Sequence, residues 1–436
     1  MNRLTTLFFL SISMLLSSCK AGQDFACVQD GRFRNVESPY FIGTNFWYGP
    51  ILASDGEGGD MDRLQRELDY LKSLGVTNLR VLVGCDGQEG VATRIQPTLQ
   101  TEAGVYNETL LRGLDRFLVE LGKRDMQAVL FLNNSWEWSG GYGMYLEWAT
   151  GEKALIPAEV GYPTYMEWAG SFVSNDKAKD LFYEHVRAIV SRTNSITGKA
   201  YADDKAIFSW QIGNEPRCFS SDPKVQDDFV DWMWKSAALI KSIDRNHMVS
   251  SGSEGKWGCE GSIELFERIH SCPDIDYLNI HIWPYNWSWV KEDSLDSRLE
   301  DAFGNTDQYI NEHIEVAERL GKPIVIEEFG YPRDGFIFTK GSPTVGRDAY
   351  YKHIFNRVLE SAREGGLVAG CNFWAWGGFA GQAADHVNWL PGDDYCGDPA
   401  QEQQGLNSVY AGDSTTEIIS ETNSLLREIN FQTIKY

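Results

Sequence analysis

The chain has 436 residues, 42% of them hydrophobic and only 14 of them proline, which is enough apolar sequence to bury one large core. A formal net charge of −23 opposes association with nucleic acid and with other polyanions, so a neutral partner fits better. The seven histidines are scattered, with no HExxH or other metal-ligand spacing, and imply no metal and no other cofactor.

Met1-Asn2-Arg3 precedes an apolar run from Leu4 to Leu16, too short to cross a bilayer comfortably, so residues 1–18 read as a signal peptide. The run ends in Leu16-Ser17-Ser18-Cys19, which resembles the bacterial lipobox and implies lipid on Cys19. The protein is then exported and held at the outer membrane or cell surface by that anchor alone, with residues 19–38 as tether and N-terminal segment. An ordinary signal peptide would give a secreted protein instead. No later segment is apolar enough for a membrane helix. Without Cys19, seven cysteines remain (Cys27, Cys85, Cys218, Cys259, Cys272, Cys371 and Cys396); their number is odd, their spacing wide, and they signal neither a disulfide framework nor zinc.

Residues 39–436 form one domain in which a short apolar run is followed, again and again, by a stretch of helical period. Strands are predicted at 40–46, 76–82, 127–133, 206–213, 248–253, 275–282, 323–329 and 367–373. Helices are predicted near 60–74, 107–123, 176–195, 225–243, 262–270, 302–320, 348–365 and 414–429. Eight such repeats predict an α/β fold, a (β/α)8 TIM barrel, with a doubly wound open sheet as the alternative. The loops after strands three and eight are long and aromatic. The first carries Trp136, Trp138, Tyr142, Tyr145, Trp148 and Trp168, the second Trp376, Phe379 and Trp389. Loops in that position lie at the active face of a barrel, so they read as walls of a cleft, although most of these rings can equally be core. Aromatic faces suit the flat C–H faces of sugars.

Strand four ends in Asn214-Glu215-Pro216-Arg217 and strand seven in Glu327-Glu328-Phe329-Gly330. Carboxylates on two strand ends across one mouth can together cleave a glycosidic bond, provided their environments differ so that one keeps its proton while the other stays ionised. Arg80, ending strand two, can hold one glutamate charged; Asn214 can bind a sugar hydroxyl; His281, ending strand six, can hydrogen-bond a catalytic group.

These motifs resemble glycoside hydrolase family 5, and within it the endo-β-1,4-mannanases. The resemblance is carried by Gly43-Thr44-Asn45-Phe46-Trp47, Leu79-Arg80, Asn133-Asn134-Ser135-Trp136, Asn214-Glu215-Pro216-Arg217, His281-Ile282-Trp283-Pro284, Glu328-Phe329-Gly330 and Asn372-Phe373-Trp374. It implies a retaining mechanism with Glu215 as acid/base and Glu328 as nucleophile. The pattern selects Glu328 over Glu327, and alternation along a strand would send the two to opposite faces. It further implies that Trp47, Arg80, Trp136, Asn214, Arg217, His281, Trp283 and Trp374 line the substrate site. Trp283 stands where many members have a tyrosine that hydrogen-bonds the nucleophile, and its indole N–H can donate the same bond. The expected activity is therefore that of an endo-acting mannan endo-1,4-β-mannosidase (EC 3.2.1.78), a monomer working on neutral mannan, galactomannan or glucomannan. The alternatives are a β-1,4-glucanase of the same family and a non-catalytic glycan-binding lipoprotein.

Overall fold

A computed structural model describes residues 25–433. The signal peptide, Cys19 and the first part of the expected tether lie outside the described residues.

Eight strands form one parallel sheet: β1 (Phe41–Asn45), β2 (Asn78–Leu82), β3 (Gln127–Phe131), β4 (Ile207–Gln211), β5 (Met248–Ser250), β6 (Leu278–Ile282), β7 (Ile324–Phe329) and β8 (Val368–Phe373). Their order is β6-β7-β8-β1-β2-β3-β4-β5. The circle is completed by a bridge between Ser250 and Tyr277 and by the Asp276 N–H donating to Val249 O at 2.8 Å. The fold is the expected (β/α)8 barrel.

The crossover helices are α1 (Met61–Ser73), α2 (Glu108–Gly122), α3 (Asp176–Val190), α4 (Pro223–Ile243), α5 (Ile263–His270), α6 (Leu299–Leu320), α7 (Val345–Glu364) and α8 (Thr415–Thr433). Their starts are written in the sequence. Side chains of Asp60, Asn107, Asn175, Asp222 and Ser262 each accept a backbone N–H from the first turn of α1 to α5 in order. Gly321 and Gly365 end α6 and α7 in the left-handed conformation. Among the described residues no helix is long and apolar enough to cross a membrane.

Within the segment expected to be a tether, Cys27–Gln29 and Arg32–Arg34 pair as an antiparallel hairpin. Asp30 and Gly31 both take positive φ, the requirement of a two-residue turn with the right twist. The hairpin drives Phe33 into the bottom of the barrel, where it meets Phe41, Phe208 and Tyr277 with ring centroids 6.3, 5.1 and 5.4 Å away. With Val129, Met248, Val325 and Ala369 they form an apolar floor beneath the polar mouth.

Candidate active site

The polar layer above that floor is organised by Arg80, which is fully buried. Its Nε donates to Gln211 Oε1 at 2.7 Å, Nη1 to Asn45 Oδ1 at 3.0 Å, and Nη2 to Asn214 Oδ1 at 2.8 Å. Nη1 also makes an ion pair with Glu328 Oε1. Arg80 thus links strands β1, β2, β4 and β7 and places a fixed positive charge against Glu328.

Glu327 departs from expectation. It also points into the barrel, accepting from Gln211 Nε2 at 2.6 Å and lying 3.6 Å from Arg80 Nε. The cause is a bulge: Ile280 faces Ile326 and His281 faces Glu328, leaving Glu327 with no partner on β6 and breaking the alternation. Burial pushes the Glu327 carboxyl up to about 7 despite Arg80. Glu328 occupies the mouth and Glu327 lies below it.

Glu215 sits just past β4 with φ at 47°, a left-handed conformation unusual for a side-chain-bearing residue. Two contacts hold it and a third holds its neighbour. Its N–H donates to Gly252 O at 3.0 Å, its carbonyl accepts from Ser135 Oγ at 2.5 Å, and Asn214 N–H donates to Asn133 O at 2.7 Å. Gly252 is required for this approach, since a Cβ there would lie 1.8 Å from Gly213 O.

His281 Nδ1 lies 2.8 Å from Glu215 Oε1 and 3.3 Å from Glu328 Oε2. One polar atom from each of these three side chains falls within 4.8 Å of the others. The trio has the donor types of a metal site, but the Arg80 guanidinium already neutralises Glu328 and would repel a cation there. Burial pushes His281 well below its ordinary range, so the ring is neutral. With acceptor carboxylates facing Nδ1, that nitrogen carries the proton, and the buried Nε2 has no protein partner.

Burial is the largest influence on both glutamates and raises both. Arg80 draws Glu328 back toward ionisation; on Glu215 the counteracting groups are Arg217, then the Trp136 indole, Arg80 and the Trp283 indole. Two buried carboxyls this close share one proton more readily than they ionise together. Trp136 Nε1 donates to Glu215 Oε2 at 2.5 Å. Trp283, expected beside Glu328, brings its indole to bear on Glu215 instead.

Above the pair opens a cavity of about 550 Å³ lined by Trp136, Asn214, Glu215, Arg217, Trp283, Glu328 and Trp374 among others. Arg80 and His281 support it from below. Trp47 does not reach it: the ring is 3% exposed and its Nε1 donates to Gly397 O at 2.9 Å, pinning the loop after β8. Most aromatics of the long loops are core as well. Tyr142, Tyr145 and Trp376 are fully buried, Trp389 stacks on Tyr395, and only Trp136 and Trp138 of those expected on the β3 loop line the cavity. A larger cavity of about 850 Å³ opens at the opposite end of the barrel, among Lys72, Asn78 and Lys123, and holds none of these groups.

Three acidic residues lining the cleft were not foreseen: Glu254, Glu402, and Glu137, which pairs with Arg94. Glu254, beyond β5, makes an ion pair with Arg217, whose guanidinium lies 5.4 Å over the Trp136 ring; burial, and then Glu215 against the pull of Arg217, leave its carboxyl at about 7. Glu402, on the loop after β8, is pushed up to about 8 by burial and by neighbouring Asp398 and Glu215. Gln401 Oε1 and Glu402 Oε2 are buried polar atoms with no protein hydrogen-bond partner, although both residues line the cleft. Glu254 follows β5 at the same four-residue offset at which Glu215 follows β4, a strand-end signal that the sequence reading passed over, whereas Glu402 lies deep within a loop and had no such signal.

Comparison with known proteins adds an independent line. The family described as GH family 5 beta-mannosidase-like matches residues 23–430. Mannan endo-1,4-beta-mannosidase 1 of Arabidopsis thaliana is 29% identical over 415 residues, covering 91% of this chain and 88% of its own. Putative mannan endo-1,4-beta-mannosidase 9 of Oryza sativa subsp. japonica is 32% identical over 368 residues, covering 81% and 82%. The crystal structure of a glycoside hydrolase family 5 mannosidase from Rhizomucor miehei superposes with a TM-score of 0.84 at 32% identity, over 94% of this chain and 99% of that one. The endo-beta-1,4-mannanase from Thermotoga petrophila, 22% identical with a TM-score of 0.65 over 89% and 77% of the two chains, shares the fold.

Proposed function

Because this chain belongs to the glycoside hydrolase family 5 beta-mannosidase-like family, we propose that it hydrolyses β-1,4-mannosidic bonds of mannan-type polysaccharide with retention at the anomeric carbon. The observation that carries this reading is the close approach of Glu215 and Glu328 through His281, with their facing atoms within 4.8 Å. Retaining enzymes hold their carboxyl groups about 5–5.5 Å apart, inverting ones about 6.5–9.5 Å, so that a water fits between.

In the first step Glu328 attacks the anomeric carbon and forms a glycosyl ester, while Glu215 gives its proton to the departing oxygen. In the second, Glu215 takes a proton from water, whose oxygen displaces Glu328. Arg80 supports the roles by stabilising negative charge on Glu328, and the shared proton then resides on Glu215. The neutral His281 donates Nδ1–H to whichever carboxylate is charged. Trp374 and Trp283, 6.2 Å apart and roughly perpendicular, offer apolar faces to the sugar at the cleaved bond.

Internal cleavage of the polymer is the leading mode, in keeping with the names of the plant relatives as mannan endo-1,4-beta-mannosidases. Removal of single sugars from a chain end is a second mode, favoured by the walls that the loops after β3 and β8 add to the cleft. Time-resolved product analysis on mannan separates them: mixed oligosaccharides appear first in one case, only mannose in the other. Glu328→Ala is expected to abolish product release while the protein still folds, and undiminished activity contradicts the assignment. Little or no activity on mannan beside high activity on soluble cellulose would instead make the enzyme a glucanase. We also propose that Cys19 carries lipid and anchors the exported enzyme, on the strength of residues 4–19. Fractionation after Cys19→Ala tests this, with release from the membrane expected and retention contradicting it.

A further inference from the structure

Trp257 is 42% exposed, an unusual state for so large an apolar ring, and it does not stand alone. Its centroid is 6.1 Å from that of Trp287, which lines the catalytic cleft and packs in turn on Trp289 and Tyr309 at 5.1 Å each. An aromatic path therefore runs from the cleft to the surface.

The exposure is rigidly built. Trp257 lies in the short helical turn Lys256–Cys259 that follows β5. Gly255 enters that turn at φ +96°, where a Cβ would lie 2.5 Å from His313 Nε2. Lys256 N–H donates to His313 Nε2 at 2.8 Å and Trp257 N–H to Tyr309 OH at 3.4 Å. His313 and Tyr309 are both buried on α6, so the turn is clamped to a helix and the ring is held in solvent at small further entropic cost.

Its position gives the ring a direction. Glu215 protonates the departing oxygen, so the leaving part of the substrate lies on the Glu215 side. Arg217 and Glu254 border that side, and Trp257 comes three residues after Glu254. We propose that Trp257, with Trp287, forms an outer stacking subsite for the leaving portion of a β-linked polysaccharide, beyond the Arg217–Glu254 pair, so that the enzyme favours longer chains. This inference rests on the hydrolase reading above and adds chain-length preference to it.

The test is the ratio of kcat/KM on mannohexaose to kcat/KM on mannotriose. In Trp257→Ala that ratio is expected to fall by about three- to tenfold, the scale of one lost aromatic contact, and Trp257→Phe should keep most of it. An unchanged ratio overturns the subsite, even if both rates fall together, because a structural role would lower both alike. A wild-type enzyme that cleaves neither oligosaccharide overturns the parent reading instead, so the two failures are distinct.

Discussion

Replacing Trp136 by Phe removes one hydrogen-bond donor, the indole N–H that donates to Glu215 Oε2 at 2.5 Å. The remaining ring can still pack against Phe219, 5.4 Å away, and under the Arg217 guanidinium. A hydrogen bond to a charged group contributes about 1.5–3 kcal/mol, and it favours the ionised carboxylate. Losing it raises the affinity of Glu215 for its proton by about 1–2 pH units, at about 1.36 kcal/mol per unit. The basic limb of the kcat/KM profile reports loss of the catalytic proton in the free enzyme, so that limb should move to higher pH by this amount. The acidic limb, which reports ionisation of Glu328, should stay nearly fixed. The two limbs belong to a coupled pair, and their relative movement is the informative quantity. The assay is manno-oligosaccharide hydrolysis by wild type and Trp136→Phe across the pH range in which both stay folded. A stationary basic limb, or an acidic limb that moves in its place, refutes the assignment of the proton to Glu215.

Glu402, protonated near neutral pH, can donate to a sugar as well as accept from it. Glu402→Ala should lower kcat/KM about tenfold, one hydrogen bond's worth, and Glu402→Gln should recover most of it; equal losses would refute a polar role. At the far end of the barrel, Phe33→Ala should destabilise the fold by about 3–5 kcal/mol in denaturant titration while kcat at moderate temperature is unaltered. A change below about 1 kcal/mol would show that the hairpin does not plug the floor. His270 is held neutral by burial, its Nδ1–H donating to Phe266 O at 2.8 Å, and protonates only near pH 3. Its folded pKa lies below the unfolded value, so its stabilisation is full above about pH 6.5 and is lost as pH falls toward 3. His270→Gln should therefore flatten the decline of unfolding free energy on acidification, and an unchanged slope would contradict this.

The barrel was legible because its local signals agree. Each strand is a short apolar run, each helix has a 3.6-residue period, and side-chain caps such as Asp60 and Asn175 mark where one gives way to the other. Residues at strand ends were legible for the same reason: Asn214, Glu215, Arg217, Glu328 and Trp374 all reach the cleft once the strands are placed. What failed depended on geometry that local pattern does not encode. The bulge that turns Glu327 inward arises from register with β6, a strand more than forty positions away in sequence. Trp47 is a structural pin because Gly397 happens to present its carbonyl across the barrel top, and the hairpin at 27–34 packs against a floor made by distant strands. Glu402 is an acidic side chain drawn into the cleft by a loop path, which carries no periodic signal.

In the proposed mechanism Glu328 forms a covalent bond to the sugar while Glu215 manages the proton. Proton NMR of the newly formed reducing end, recorded in the first minutes of manno-oligosaccharide hydrolysis, distinguishes this from direct attack by water. The close pairing of Glu215 and Glu328 predicts that the β-anomer appears first and later equilibrates with the α-anomer. If the α-anomer appears first, the enzyme inverts, water attacks directly, and Glu328 is not the nucleophile.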